Sequence, residues 1–202
     1  MHPIVYILDD DEAIRSSLSW LVTSAGLETA AYGTASELLR SIDRSRPGCV
    51  VLDVRMPETG GFEVQKLLVE QFVHMPIIFV SAHGDIPMTV RAMKKGAYDF
   101  VEKPYNSQML LERIQEAAGH SVGQFEQSIR RRTLESRVQL LSPREKEVLQ
   151  KVVEGKASKL IAAELGISAK TVDIHRSSIR EKLGAPSLAQ LVKEIATHFQ
   201  AL

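Results

Sequence analysis

The sequence is short of cysteine and of long hydrophobic runs, and each shortage excludes something. Cys49 is the single cysteine, so no internal disulfide can form and a cysteine-built zinc site is ruled out. The longest apolar runs are brief, as at residues 77–80, and none approaches the roughly 20 residues that a membrane-spanning helix needs. The N-terminus has neither the basic start nor the small-residue cleavage site of a secretory signal. The expected setting is cytoplasmic, with no membrane partner. With 202 residues, 44% hydrophobic and 25% charged, the chain suits two small globular domains better than one large one.

Net charge is missing too, but unevenly. Residues 1–120 carry 11 Lys/Arg against 16 Asp/Glu, a net −5, and residues 121–202 carry 14 against 9, a net +5. An acidic half followed by a basic half suggests two jobs, the second on nucleic acid. A bias of five charges also arises by chance, so the motifs must decide.

The first half alternates strand and helix signals. Residues 4–8 read as a buried strand, and residues 12–25 as a helix with Ile14, Leu18, Leu21 and Val22 in one stripe, ended by Gly26. A weaker strand at 28–32, a short helix at 35–41 and the Pro47-Gly48 turn lead to a second buried strand at 49–52. Residues 62–72 place Val64, Leu67, Leu68 and Phe72 at helical spacing. A buried run at 77–80 precedes a helix from its cap Asp85 to Lys95. A last strand at 98–101 runs into Lys103-Pro104, and a helix starts near Ser107. Five strands alternating with five helices make an α/β fold, a doubly wound parallel sheet with helices on both faces. Its ligand crevice is expected beyond the strand carboxyl ends, where the strand order reverses.

Apolar positions continue past Leu110 through Ile114, Ala118, Val122, Phe125 and Ile129 to Arg130-Arg131-Arg132. Residues 1–120 are therefore read as the first domain and 121–140 as a helical or partly helical connector. Gly119 and Gly123 weaken that helix by about 1 kcal/mol each; a flexible coil is the alternative, although no Pro- or Ser-rich stretch supports it. Residues 141–202 read as an all-α unit of four helices. Ser142, Pro143 and Glu145 spell a capping box. Short helices closed by Gly166 and Gly184 form a helix-turn-helix pattern, and Leu188, Leu191, Val192, Ile195 and Phe199 are mostly core.

The acids at the strand ends carry the chemistry. "ILDDDEAIR" stops an apolar strand against Asp9, Asp10 and Asp11, and Asp53 ends the strand at 49–52. Strand periodicity alone does not choose between Asp9/Asp10 and Asp10/Asp11. If the two strands are neighbours, three carboxylates converge and raise one another's pKa. A divalent oxygen-loving cation, Mg²⁺ above all, relieves that repulsion. Ser81 and Lys103 end the next strands and complete a cup for an oxyanion such as a phosphoryl group.

Four motifs in order extend the argument: "ILDDDEAIR", "VVLDVRMPETGGFEV", "FVSAHGDIPMTVRAMKKGAYDFVEKP" and "LSPREKEVLQKVVEGKASKLIAAELGISAKTVDIHRSSIREKLG". They resemble the NarL/FixJ family of two-component response regulators, nearer the FixJ branch: a flavodoxin-like receiver with strand order 2-1-3-4-5, then a LuxR-type helix-turn-helix. The resemblance implies a phosphorylation-switched transcription factor rather than an enzyme. Asp53 would be the phosphate acceptor. Asp10 and Asp53 would bind Mg²⁺ directly and Asp9 through water, with the Arg55 carbonyl as a further ligand. Lys103 would pair with the phosphate, Ser81 would turn toward it and Phe100 would swing inward. The Lys103–Pro104 bond would be cis. Asp9/Asp10 is chosen over Asp10/Asp11 because Asp10 precedes Asp53 by the family's 43 positions. The implied partners are a sensor histidine kinase, promoter DNA, RNA polymerase and, on phosphorylation, a second copy of the chain.

In the last 62 residues the recognition helix is 168–183. Val172, Ile179 and Leu183 should face the core, while Lys170, Asp173, Ile174 and Ser177 share the other face and enter the major groove. Lys170, Thr171, Arg176 and Arg180 are available to phosphates. Asp173 departs from the Lys that relatives often carry, and an acid there can accept from cytosine N4 or exclude wrong sites.

Plainer roles fit the remaining residues. Asp11 and Glu12 suit a helix start, Asp99 and Glu102 solvated edges, Cys49 a core site and His175 packing or phosphate contact. His74, His83 and His120 are scattered, with His83 placed to line the loop beside Ser81. Gly155-Lys156 is no P-loop, because Ala157 follows it. Two other functions fit the residues less well. An aspartate phosphohydrolase usually has a second acid two residues after the nucleophile, where Arg55 stands here. A small-molecule-sensing LuxR-type regulator needs an apolar cavity rather than an acidic crevice.

Overall fold

The structure, a computed structural model, describes residues 1–71, 73–82 and 84–198, with the side chains at 188, 194 and 196–198 left aside. The expectations for Phe72, His83, Phe199 and the Leu188 side chain lie outside the described residues. The chain divides into two compact units, Met1–Glu126 and Gln127–Leu202.

In the first unit, strands β1 (Ile4–Leu8), β2 (Glu28–Tyr32), β3 (Gly48–Asp53), β4 (Ile77–Ser81) and β5 (Asp99–Glu102) alternate with helices α1 (Glu12–Ser24), α2 (Ala35–Ser41), α3 (Gly61–Glu70), α4 (Ile86–Lys94) and α5 (Ser107–Gln139). All strand pairs are parallel, in the order β2-β1-β3-β4-β5. The expected α/β sheet and its strand order are both present.

The unbroken apolar runs follow from burial on both faces. Tyr6, Leu8, Val50, Leu52 and Phe79 pack on one side with Leu38, Val64, Leu68 and Ala92 of α2, α3 and α4. Val5, Ile7, Val51, Ile78 and Val80 pack on the other with Leu18 and Val22 of α1 and Leu110 and Ile114 of α5. Cys49 belongs to this second core, fully buried. Burial pushes its thiol up to about 12, which leaves it unreactive.

The strands reach farther than the apolar residues alone imply. β3 includes Gly48 and Asp53, and β5 is shifted to end at Glu102. Ladder bonding extends them: Asp53 pairs with Val80, and the Lys103 N–H donates to the Ser81 carbonyl at 2.7 Å. α3 starts at Gly61, one residue early, where a Cβ would collide with the Asp53 carbonyl. Residues 121–138 are helical, as part of the 33-residue α5. Where Gly119 and Gly123 lie, a Cβ would meet open space.

The second unit packs the end of α5 with α6 (Pro143–Val153), α7 (Ser158–Leu165), α8 (Ala169–Leu183) and α9 (Leu188–His198). Their core includes Leu134, Val148, Leu149, Ile161, Val172, Ile179, Leu183, Leu191 and Ile195. Gly166 and Gly184 end α7 and α8 at φ +65°, the left-handed turn that favours glycine. The capping box is complete: the Glu145 N–H donates to Ser142 Oγ at 3.3 Å, and the Ser142 N–H to Glu145 Oε2 at 2.7 Å. Glu145 does more than cap. It is 4% exposed and also accepts Ser178 Oγ at 2.7 Å and Lys182 Nζ at 2.8 Å, so it ties α6 to α8. The Lys182 ammonium, with help from Ser178 and Ser142, holds its carboxyl at about 2.

Candidate functional site

β1 and β3 are neighbours in register up to Leu8 and Leu52, so Asp9 and Asp53 come next to each other at the carboxyl edge. They are 3% and 7% exposed. Lys103, just after β5, extends its ammonium between them, 2.8 Å from Asp9 Oδ2 and 2.9 Å from Asp53 Oδ1. Asp9 Oδ1 accepts the Asp11 N–H at 3.0 Å, and Asp53 Oδ2 accepts the Arg55 N–H at 2.7 Å. Ser81 is buried at the end of β4. The Lys103–Pro104 bond is cis.

The expected meeting of three carboxylates is here a meeting of two with one ammonium. Asp10 is exposed and lines a neighbouring cleft with Gly33, Thr34, Met56, Pro57, Glu58 and Thr59. Among the described residues no group of three or more His, Cys, Asp or Glu is gathered to hold a metal ion. The donor chemistry still suits Mg²⁺, which takes one or two carboxylates and keeps several waters. The expected cause of the pKa shift needs correction. The Asp53 carboxyl is raised mainly by burial, which outweighs Lys103 and the Arg55 N–H; the charge of Asp9 contributes least. Burial would lower the Lys103 ammonium, but its bonds to Asp9 and Asp53 raise it instead.

Asp11 turns away from the crevice. Its Oδ1 caps α1 by accepting the Ala13 N–H at 2.8 Å and the Ile14 N–H at 3.4 Å. Arg15 was not singled out from the sequence, yet it braces the acid pair: its NH1 donates to the carbonyls of Asp9 at 2.8 Å and Asp10 at 2.9 Å. Its partners are backbone carbonyls, which no sequence pattern marks; a basic residue near a helix N-terminus, weakly disfavoured by the dipole, is the sole hint. Phe100 is half-buried on β5, with its ring centroid 6.3 Å from that of Phe79. Gly84 lies against it, since a Cβ there would come within 2.9 Å of Phe100 Cε1.

In α8, Val172, Ile179 and Leu183 are buried, while Lys170, Asp173, Ile174, Ser177 and Arg180 are exposed, and Thr171 and Arg176 half-exposed. Ile174 has no core to fill at 59% exposure. Asp173 and Arg176 both bond Ser158 of α7, a connection that helical spacing does not reveal.

Residues 5–115 match the model of the response regulator receiver domain, and residues 139–195 match that of the bacterial regulatory proteins of the luxR family. The chain belongs to the NarL/FixJ family of response regulators. Nodulation protein W of Bradyrhizobium diazoefficiens is 43% identical over 190 residues, covering 94% of this chain and 84% of the relative. The transcriptional regulatory protein FixJ of Azorhizobium caulinodans is 40% identical over 192 residues, covering 94% and 90%. Among solved structures, the response regulator StyR superposes with a TM-score of 0.85 at 41% identity, over 98% of this chain and all of that one. As a NarL/FixJ-family member, the chain is a response regulator with a receiver and a LuxR-type DNA-binding domain, and phosphorylation-driven control is the family's mechanism. Among the described residues no helix is long and apolar enough to cross a membrane.

Proposed function

We propose that Asp53 accepts a phosphoryl group from the phosphohistidine of a sensor histidine kinase, and that this switches dimerisation and binding to promoter DNA in the cytoplasm. The carrying observation is the Asp9–Lys103–Asp53 cluster at the carboxyl edge. An Asp53 carboxylate oxygen attacks phosphorus, the P–N bond breaks and the imidazole leaves. Mg²⁺, held by Asp9, Asp10, Asp53 and the Arg55 carbonyl, would neutralise charge on the phosphoryl oxygens. Lys103 already touches Asp53, and its ammonium shifts to donate to a phosphoryl oxygen. The new acceptor oxygens draw the Ser81 hydroxyl inward. The loop carrying Gly84 follows, and Phe100, against which it packs, turns into the space released.

The readout is the face of α4, β5 and α5, where Ile86, Val90 and Met93 are exposed. Burying such residues against a second copy is favourable. In the second domain, Lys170, Asp173, Ile174 and Ser177 meet base edges while Thr171, Arg176 and Arg180 meet phosphates. RNA polymerase is the downstream partner. Beryllofluoride with Mg²⁺ should shift the chain from monomer to dimer in light scattering and tighten promoter binding, and Asp53→Asn should respond to neither. An identical response from Asp53→Asn overturns the acceptor assignment. Ile174→Ala should lose base preference, and an unchanged preference removes Ile174 from the groove.

A further inference from the structure

Asp173 is an acid on the exposed face of α8, and it does not stand alone. Ser158, the first residue of α7, lies 2.8 Å from Asp173 Oδ1 and 2.9 Å from Arg176 NH1. Chemistry sets the direction of both bonds. A guanidinium only donates, so Ser158 Oγ accepts from Arg176; the hydroxyl's single proton then goes to the carboxylate, which only accepts. Asp173 and Arg176 are three residues apart and are neighbours on the helix surface. Without a hydroxyl between them they are placed to pair directly, each consuming the other's recognition groups. With it, both are held toward α7, one carboxylate oxygen is engaged and the other acceptor sites remain.

We propose that Ser158 is a positioning residue for sequence recognition. It orients Asp173 so that the carboxylate accepts from the amino group of one base in the major groove, cytosine N4, and keeps Arg176 from quenching it. This rests on the reading of α8 as the groove helix. It adds a residue outside that helix whose role is read at a single base-pair position. Ser158 does not cap α7: the cap is Ala157, with no side-chain bond, so replacing Ser158 removes no helix stop.

The test uses the full chain with beryllofluoride and Mg²⁺, selecting from randomised duplexes, for the wild type, Asp173→Ala, Ser158→Ala, Ser158→Thr and the double variant Ser158→Ala/Asp173→Ala. A well-made base contact discriminates by about 5- to 150-fold. Asp173→Ala should level one position. Ser158→Ala should reduce discrimination at that same position by about 3- to 10-fold, a part of one contact's share. Ser158→Thr should restore it, and the double variant should match Asp173→Ala. If Asp173→Ala levels a position that Ser158→Ala leaves intact, the positioning role is overturned while the groove reading of α8 stands. If Asp173→Ala keeps the wild-type profile everywhere, Asp173 reads no base and the positioning role falls, while Ile174→Ala tests the groove reading of α8 separately. If Ser158→Ala weakens binding equally to all duplexes, the role is merely structural and the proposal is wrong.

Discussion

Replacing Glu145 by Gln tests how the second unit is held together. The carboxylate is buried and receives Lys182 Nζ, Ser178 Oγ and the Ser142 N–H. Its pKa falls from 4.5 to about 2, and at about 1.4 kcal/mol per pKa unit this corresponds to about 3 kcal/mol in favour of the charged form. The Lys182 side chain is 41% exposed, so solvent screening reduces the figure to about 2 kcal/mol. For a unit of this size, each kcal/mol moves Tm by about 4–8 °C. Glu145→Gln should therefore lower the melting of the second unit by about 8–16 °C at pH 7. Hydrogen exchange read by mass spectrometry separates the units: protection in α6 and α8 should drop while β1 and β3 keep theirs. The pH dependence has a definite sign. A carboxyl depressed in the folded state contributes stability above its unfolded pKa and loses it as pH falls through the folded one. The wild-type advantage should be full above 4.5 and vanish toward pH 2. Protection within about 0.5 kcal/mol of the wild type at pH 7 refutes the reasoning, since that is the size of an ordinary surface change.

Three more substitutions probe other parts of the chain. Lys103→Met leaves Asp9 and Asp53 buried without their cation, so the first unit should lose about 3 kcal/mol in urea unfolding, as broken buried pairs do, and added Mg²⁺ should restore part of it. Gly61→Ala sets a Cβ against the Asp53 carbonyl; at about 1–3 kcal/mol for overpacking, it should lower stability and blunt the dimerisation response to beryllofluoride. Gly123→Ala adds a methyl group in open space within α5 and should stabilise the helix by about 1 kcal/mol, seen as slower amide exchange around residue 123.

The elements were legible because their signals are local. Strand β2 and helix α2 have the expected bounds, since an apolar pattern and a cap are complete within a few residues. Ends were less legible where ladder bonds decide them: Asp53 lies inside β3 because Val80 pairs with it, and no pattern in residues 48–53 contains β4. At the carboxyl edge the kinds of residue were readable and their partners were not. Asp9, Asp53 and Lys103 share one cluster, but Asp10 is exposed beside it, and side-chain direction at a strand end depends on the next turn. Arg15, Ser158 and the bonds of Glu145 to α8 cross between elements, at separations that periodicity does not sample.

The charge pattern of the cluster bears on both the resting site and the proposed response. Two buried carboxylates share one ammonium, so the site is short of positive charge, and burial already raises Asp53. Filling the shelf with apolar residues would be more stable. The imbalance is tolerable because Lys103 satisfies both acids and the N–H groups of Asp11 and Arg55 take the remaining oxygens. A phosphoryl group on Asp53, as proposed, would add negative charge to a site where Lys103 is the cation between the two acids. It would therefore compete with Asp9 for Lys103 and draw on any further donor within reach. The further partners on the proposed reading are the Ser81 hydroxyl, buried at the end of β4, and a bound cation. On the proposed reading, charge added at Asp53 would be relieved around Gly84 and Phe100 rather than in the central strands, which are held by the two cores.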